Sequence, residues 1–200
     1  MKHDEVVQSA FAKVYADGKW GNGSGPGSLP KNTVSYRALL ENFMADNGIR
    51  TVTDLGCGDW QISRHVNWSG VQYTGLDAVP DVIANNLKAF GSVNIAFDVS
   101  TQPGDLKGGD LLIAKEVLQH LPNALIVAYL EAIKTRYRFA LVTNSIAPGA
   151  HFNHDIAAGA CRPLKPYLSP FFASGAVIHR YGFLADGVYY SNEVFLMVNS

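Results

Sequence analysis

Cysteine is nearly missing from these 200 residues: Cys57 and Cys161 are the whole supply, and Cys57 sits within a glycine turn. Two thiols make neither a disulfide framework nor a structural zinc site, so both are expected to be reduced, in a cytoplasmic protein. An excess of charge of one sign is missing too. Sixteen Lys and Arg against seventeen Asp and Glu leave a formal net charge of −1, without the basic footprint that nucleic-acid binding requires. No apolar run approaches the roughly 20 residues of a membrane span. Met1-Lys2-His3-Asp4-Glu5 leads into no apolar signal region, so export is not expected. What remains is a chain 48% hydrophobic and 16% charged, the balance of a compact globular protein at the upper end of one domain.

The chain is organised around Thr51-Val-Thr-Asp-Leu-Gly-Cys-Gly-Asp-Trp60. Thr51 to Leu55 is β-branched and apolar, of strand length, and stops at Gly56-Cys57-Gly58. Asp59 to Val66 is expected to wind as a helix with Asp59 at its start. Strand, glycine turn and helix open a nucleotide-binding α/β sheet, the glycines letting backbone pass close to a ligand. A dinucleotide site wants a third glycine three residues after the second, and that position is Gln61. Asp54, just ahead of the glycines, suits a ligand carrying positive charge better than one carrying phosphates.

Before this stretch, Val6, Val7, Ala10, Phe11 and Val14 have helical spacing. Trp20-Gly-Asn-Gly-Ser-Gly-Pro-Gly-Ser28 can be neither helix nor strand. It reads either as a linker or as a lid whose backbone amides lie over a ligand. Thr33 to Asn47 is a further helix. Beyond the glycine turn, strands are expected over Gln72–Asp77, Val93–Phe97, Asp110–Ala114 and Phe139–Thr143, with helices over Pro80–Phe90 and Pro122–Arg136. Asp54/Asp59, Asp77 and Asp98 stand at three strand ends, on the edge where such sheets bind ligands. Ile146 to Phe172 holds four prolines, two histidines and an arginine where a crossover helix would be expected, and a connection that long is usually functional. Ala176–His179 and Val194–Val198, joined around Asp186-Gly187, are expected to pair antiparallel.

Asp54-Leu-Gly-Cys-Gly58, Gly75-Leu-Asp77, Asp98 and Lys115-Glu-Val-Leu-Gln-His-Leu-Pro122 together resemble the class I S-adenosylmethionine-dependent methyltransferases. Tyr15 to Ser28 resembles the N-terminal portion of a group of small bacterial members with a tryptophan followed by a Ser-Gly-x-Gly-Ser turn. The resemblance implies a Rossmann-like α/β fold: a mostly parallel seven-stranded sheet with an antiparallel last strand and helices on both faces. It implies one S-adenosylmethionine-binding domain over 33–200, preceded over 1–32 by the helix and glycine-rich lid. It assigns the methionyl part of the cofactor to Asp54, Gly56 and Gly58, the ribose to Asp77 and the adenine amine to Asp98. Trp20, Asp59, Ala78, Val99 and Lys115 are expected beside the cofactor as well.

Methyl transfer from a sulfonium needs alignment above all, and a base only where the acceptor arrives protonated. Glu116 and His120, after the fourth strand, are the catalytic candidates. Asn153, His154 and Asp155 are expected to line the acceptor pocket, with Arg162 available for an anionic group. His151-Phe-Asn-His-Asp155 also admits a metal reading, which lacks a fixed helix and is set aside in favour of no metal. The expected partner is a small-molecule acceptor, methylated at oxygen or nitrogen, with neither nucleic acid nor membrane. A nicotinamide-dependent oxidoreductase and a non-catalytic cofactor-binding module remain as alternatives.

Overall fold

The computed structural model describes residues 3–21, 23–147 and 151–199. Asn22 of the glycine-rich segment and residues 148–150 of the long connection lie outside the described residues. The chain divides into two compact units, Met1–Thr101 and Gln102–Ser200.

In the first unit, α1 (His3–Ala16) and α2 (Val34–Asp46) precede β1 (Thr51–Leu55), β2 (Gln72–Asp77), α3 (Pro80–Phe90) and β3 (Ile95–Val99). The three strands are parallel, with Thr51 opposite Gln72 and Tyr73 opposite Ile95. Parallel strands are buried on both faces, which is why Val52 to Leu55 form one uninterrupted buried run. β3 begins two residues later than its apolar run suggests. Val93 is 98% exposed and sits in a tight turn in which Ser92 N donates to Ile95 O. Asp98 therefore lies inside the strand rather than after it.

No helix forms over Asp59–Val66. The chain makes turns and a short 3-10 segment, Ser63–His65, because Trp60 adopts φ +60° and turns its indole inward. The ring packs on Phe90 at 4.8 Å, Phe97 at 5.4 Å and Tyr73 at 5.7 Å, and Tyr73 on Trp68 at 4.5 Å. A left-handed non-glycine residue costs about 1–3 kcal/mol. Three ring contacts at about 0.5–1.5 kcal/mol each, added to the burial itself, outweigh that cost and the lost helix.

In the second unit come β4 (Gly109–Lys115), α4 (Asn123–Arg136), β5 (Tyr137–Ile146), β6 (Ala176–Ala185) and β7 (Val188–Val198). β4 and β5 are parallel. β7 runs antiparallel to β5 on one side and to β6 on the other, so its run Val194, Phe195 and Met197 is almost fully buried. β5, β6 and β7 extend further than their apolar cores, taking in the polar residues Asn144, Ser145, Ser191, Asn192 and Glu193. Described residues 151–175 form neither helix nor strand. The seven strands hydrogen-bond in the order β3-β2-β1-β4-β5-β7-β6, the expected mixed sheet with its antiparallel last strand. Both cysteines carry free thiols. No described helix is long and apolar enough to cross a membrane.

Candidate functional site

The glycine turn of the first unit is fixed from several directions. Gly56 N and Cys57 N both donate to Leu76 O, at 2.7 and 2.9 Å, tying the turn to the end of β2. Gly56 and Gly58 have φ of +70° and +55°, a region that L side chains enter only with strain. Gly58 N donates to Asp77 Oδ2 at 3.0 Å, and Asn86 Nδ2 of α3 donates to Gly58 O at 2.7 Å.

Asp77 is buried at the end of β2. Its second oxygen accepts from Val79 N at 3.0 Å, and the neighbouring Ala78 amide also favours the charged form. Burial nevertheless raises its pKa from 3.8 to about 6, with the charge of Asp59 adding to the rise. The folded protein holds this proton more tightly than the unfolded chain does, so stability falls as pH climbs from about 4 through about 6. The ionised carboxylate then costs on the order of 3 kcal/mol. A carboxylate has room for about four hydrogen bonds, so it retains acceptor capacity for a ligand that brings hydroxyl donors. Asp98 and Val99 lie across the ladder from Leu76 and Asp77, and both are exposed. Asp98 Oδ1 accepts from Val99 N at 3.0 Å. Ser100 follows, its backbone N–H on Asp77 O at 2.9 Å and its hydroxyl buried without a hydrogen-bond partner.

Asp54 is buried and takes two hydroxyls on one oxygen, Ser63 Oγ at 2.8 Å and Tyr73 OH at 2.7 Å. It braces the turn from below. Asp59, expected to start a helix, instead holds the glycine-rich segment. Ser24 Oγ donates to Asp59 Oδ1 at 2.7 Å, accepts from Asp59 N at 3.2 Å and lies 3.1 Å from Tyr15 OH of α1. A Cβ on Gly58 would collide with that Ser24 hydroxyl, and one on Gly23 with the Asp59 carboxylate. Trp20 packs edge-on against Tyr15 at 5.5 Å and against Phe11 at 6.2 Å. Its indole covers α1, the partner that the tryptophan lacked on sequence alone.

In the second unit, Lys115 ends β4 and forms a largely buried ion pair with Glu116, the next residue. Glu116 has φ +57°, and its N–H donates to Thr143 O at 2.7 Å. That turn directs Glu116 Oε1 to within 3.4 Å of Ser145 Oγ. His120 is buried in the short 3-10 segment Leu118–His120. Its Nδ1 lies 2.8 Å from Ala160 O, a carbonyl that can only accept, so Nδ1 carries the proton and Nε2 the lone pair. Burial holds its pKa below the ordinary 6.5, which keeps the ring neutral at neutral pH.

The four expected acceptor residues have clear positions. Arg162 is 1% exposed and clasps the irregular segment to the 3-10 segment. Its Nη1 donates to Leu118 O at 3.2 Å, its Nη2 to Asn123 Oδ1 at 2.8 Å and its backbone N to Gln119 O at 3.2 Å. Both terminal nitrogens are thereby engaged, while the Nε is buried without a hydrogen-bond partner. Asn153, also buried, gives its amide to Lys165 O at 2.9 Å and Ser169 O at 2.8 Å and accepts from Lys165 N at 2.9 Å. It shapes the loop. Asp155 Oδ1 accepts from Asn123 N at 2.7 Å at the start of α4, where a carboxylate offsets exposed N–H groups. His154 is exposed, with Nδ1 3.3 Å from His151 O. Among the described residues no three His, Cys, Asp or Glu side chains are grouped to hold a metal.

Solved structures with this fold include several methyltransferases. A 1,6-didemethyltoxoflavin-N1-methyltransferase from Burkholderia thailandensis, with its substrate and S-adenosylhomocysteine bound, superposes at TM-score 0.66, with 18% identity, over 98% of this chain and 88% of its own. A magnesium protoporphyrin IX methyltransferase from Synechocystis, with S-adenosylhomocysteine bound, gives TM-score 0.61 and 15% identity over 99% and 98%. A structure described as converting a disulfide bond into a thioacetal group during echinomycin biosynthesis gives 0.64 and 17% over 97% and 92%. At these identities the likeness is one of fold, the class I methyltransferase fold. No family model matches the chain, and no curated protein matches it in sequence.

Proposed function

We propose that the protein is an S-adenosylmethionine-dependent methyltransferase acting at oxygen or nitrogen of a small-molecule acceptor. The observation that carries the reading is Asp77. A buried carboxylate at the end of β2 is anchored by the Gly58 and Val79 amides, and its pKa is raised to about 6. The residues fit a ribose: Asp77 retains lone pairs for hydroxyl donors, and the partnerless Ser100 hydroxyl stands next to it in the chain's path. Gly56 and Gly58 would lie against the methionyl part, and Asp98 and Val99 near the adenine.

The nicotinamide alternative loses ground on geometry. A pyrophosphate is held at the N-terminus of the helix that follows the turn, and here no helix follows. Gln61 instead donates to Asp59 at 2.6 Å.

When bound, S-adenosylmethionine supplies an electrophilic methyl group on a sulfonium. The chain's part is to bind, orient and exclude water, with Ser24 and Asp59 holding the glycine-rich segment against the turn. His120, neutral with its lone pair on Nε2, takes the acceptor's proton where one must leave, and Glu116 orients the acceptor. The cell interior is the proposed setting. Titration calorimetry tests the cofactor: S-adenosylhomocysteine should bind and NAD give no comparable signal, and the reverse result would overturn the reading. Transfer of a labelled methyl group from S-adenosylmethionine to a small-molecule acceptor separates an enzyme from a binding module.

A further inference from the structure

The three carbonyls of the 3-10 segment Leu118–His120 are all taken by the irregular connection that follows β5. Leu118 O accepts from Arg162 Nη1 at 3.2 Å, Gln119 O from Arg162 N at 3.2 Å, and His120 O from Gly159 N at 3.0 Å. Between those contacts Ala160 O takes the His120 Nδ1 proton at 2.8 Å. Residues 159–162 thus form a strap across the segment, and all but one of the strap's own contacting groups are backbone. The exception is the Arg162 side chain, almost fully buried. Its Nη2 reaches Asn123 Oδ1 at the start of α4, 2.8 Å away, and Asn123 Nδ2 in turn donates to Asn153 O at 2.9 Å. Its Nε has no partner, so the two terminal nitrogens alone hold the fork, one on the 3-10 segment and one on α4.

Two contacts fix the same tautomer of His120. Ala160 O can only accept, which puts the ring proton on Nδ1. On the other side Ser145 N donates to Gln119 Oε1 at 2.7 Å, which assigns that amide's oxygen and leaves its NH2 3.5 Å from His120 Nε2. A donor faces a lone pair there. At 3.5 Å the contact is long, and a closer hydroxyl or N–H displaces it. Burial is the largest influence on the ring's charge and disfavours the imidazolium; the Ala160 carbonyl and Glu116 favour it, and Arg162 disfavours it. Asp155 acts on Arg162, and burial keeps the neighbouring Cys161 thiol protonated at neutral pH.

We infer that Arg162 is the positioning residue of His120, fastening the strap that orients the ring with its lone pair on Nε2. The inference rests on the methyltransferase reading above, with His120 as the base, and adds a residue that acts through another. A base in the wrong tautomer presents a proton where a lone pair is needed, so the strap governs proton transfer and leaves cofactor binding alone.

Two-dimensional 15N–1H NMR of the imidazoles, with His120 assigned from the His120→Gln spectrum, reads tautomer and titration in the full chain without a known acceptor. In the unsubstituted protein His120 should be the Nδ1–H form and titrate below the ordinary 6.5. Arg162→Met should mix the two tautomers and raise that titration, because a cation near the ring is lost. Its S-adenosylhomocysteine affinity should stay within about threefold, which also shows that the variant is folded. Arg162→Lys should restore the titration more than the tautomer, since an ammonium keeps the charge but cannot fork between Leu118 O and Asn123 Oδ1. Asn123→Ala, which removes the partner on α4 and leaves Arg162 in place, should move the tautomer the same way by less, and serves if Arg162→Met does not fold. An Nε2–H ring in the unsubstituted protein, or an unmoved tautomer in every folded variant, would overturn the positioning role. A chain that fails to bind S-adenosylhomocysteine would overturn the methyltransferase reading and, with it, the use of this ring as a base, whatever the imidazole spectra show.

Discussion

Around Gly58, the polar contacts join one short turn to the strand end and helix that follow it and to a segment a few dozen residues upstream. Around Ser145 they join Glu116, in the turn after β4, to Asn192 of β7, 76 positions apart (192 − 116). In the first cluster Asp54, Asp59 and Gly58 are all held by hydrogen bonds, and the open hydroxyl is that of Ser100 beside Asp77. The second leaves the Thr143 hydroxyl unanswered. A cluster closed by backbone groups is fixed by local sequence, whereas one closed by side chains from several strands depends on their register.

Breaking the first cluster at its base should have the largest effect. Trp60→Ala removes three ring contacts under the turn and should lower unfolding free energy by about 3–5 kcal/mol, read by urea denaturation. A loss under 1 kcal/mol would mean that the left-handed turn is held by something else.

Next in size is Asp77→Ala, which should weaken S-adenosylhomocysteine binding by about 1.5–3 kcal/mol, tenfold or more by calorimetry. Its pH dependence sharpens the point. The ligand prefers the ionised carboxylate, so affinity should be full above about pH 6 and fall as pH drops through that value. Asp77→Asn should abolish that slope, and a slope that survives would shift the titration to another group.

In the second unit, Asn153→Ala strands the Lys165 and Ser169 backbone groups and should cost about 1–3 kcal/mol of stability. S-adenosylhomocysteine affinity should stay unchanged in the folded protein. A specific loss of that affinity would give Asn153 a place at the cofactor.

The smallest expected effect is that of Ser24→Ala, about 0.5–1.5 kcal/mol. It should appear as faster proteolysis after Lys19 and a few-fold weaker S-adenosylhomocysteine binding. Unaltered cleavage and binding would reduce the glycine-rich segment to a linker. His120→Gln has a separate signature, lower turnover at unchanged cofactor affinity. In the unsubstituted protein, activity should persist to a lower pH than an ordinary imidazole allows.

The first cluster was legible because its information is contiguous. A β-branched run, two glycines and an acid at the next strand end dictate their own local conformation, and β1, β2 and Asp77 follow from them. Where sequence reading erred, a tertiary contact overrode a local preference. Asp59–Val66 has helical composition, but the Trp60 ring gains more among Tyr73, Phe90 and Phe97 than a helix would return. Ser24 lay in plain view, first residue of the Ser-Gly-Pro-Gly-Ser turn, although its bond to Asp59 spans 35 positions. Ser100 and Ser145 gave no signal, since a hydroxyl's neighbours across a sheet depend on register. Asn192 did leave one: a carboxamide amid the residues of a strand buried on both faces is out of place without a partner.

β7 lies between β5 and β6 yet follows both in the chain, and this sets the order in which the second unit can assemble. β6 and β7 are joined by a tight reversal, Ala185 facing Val188, and can pair within microseconds. Joining β5 requires Ile146 to meet Ser191, closing a loop of about 45 residues, which costs roughly 2 kcal/mol more entropy than the hairpin. Until the hairpin arrives, the backbone groups of β5 that pair with β7 form an open edge. Long-range pairing of this kind is the slow part of β assembly, and an edge left open is where association between chains starts.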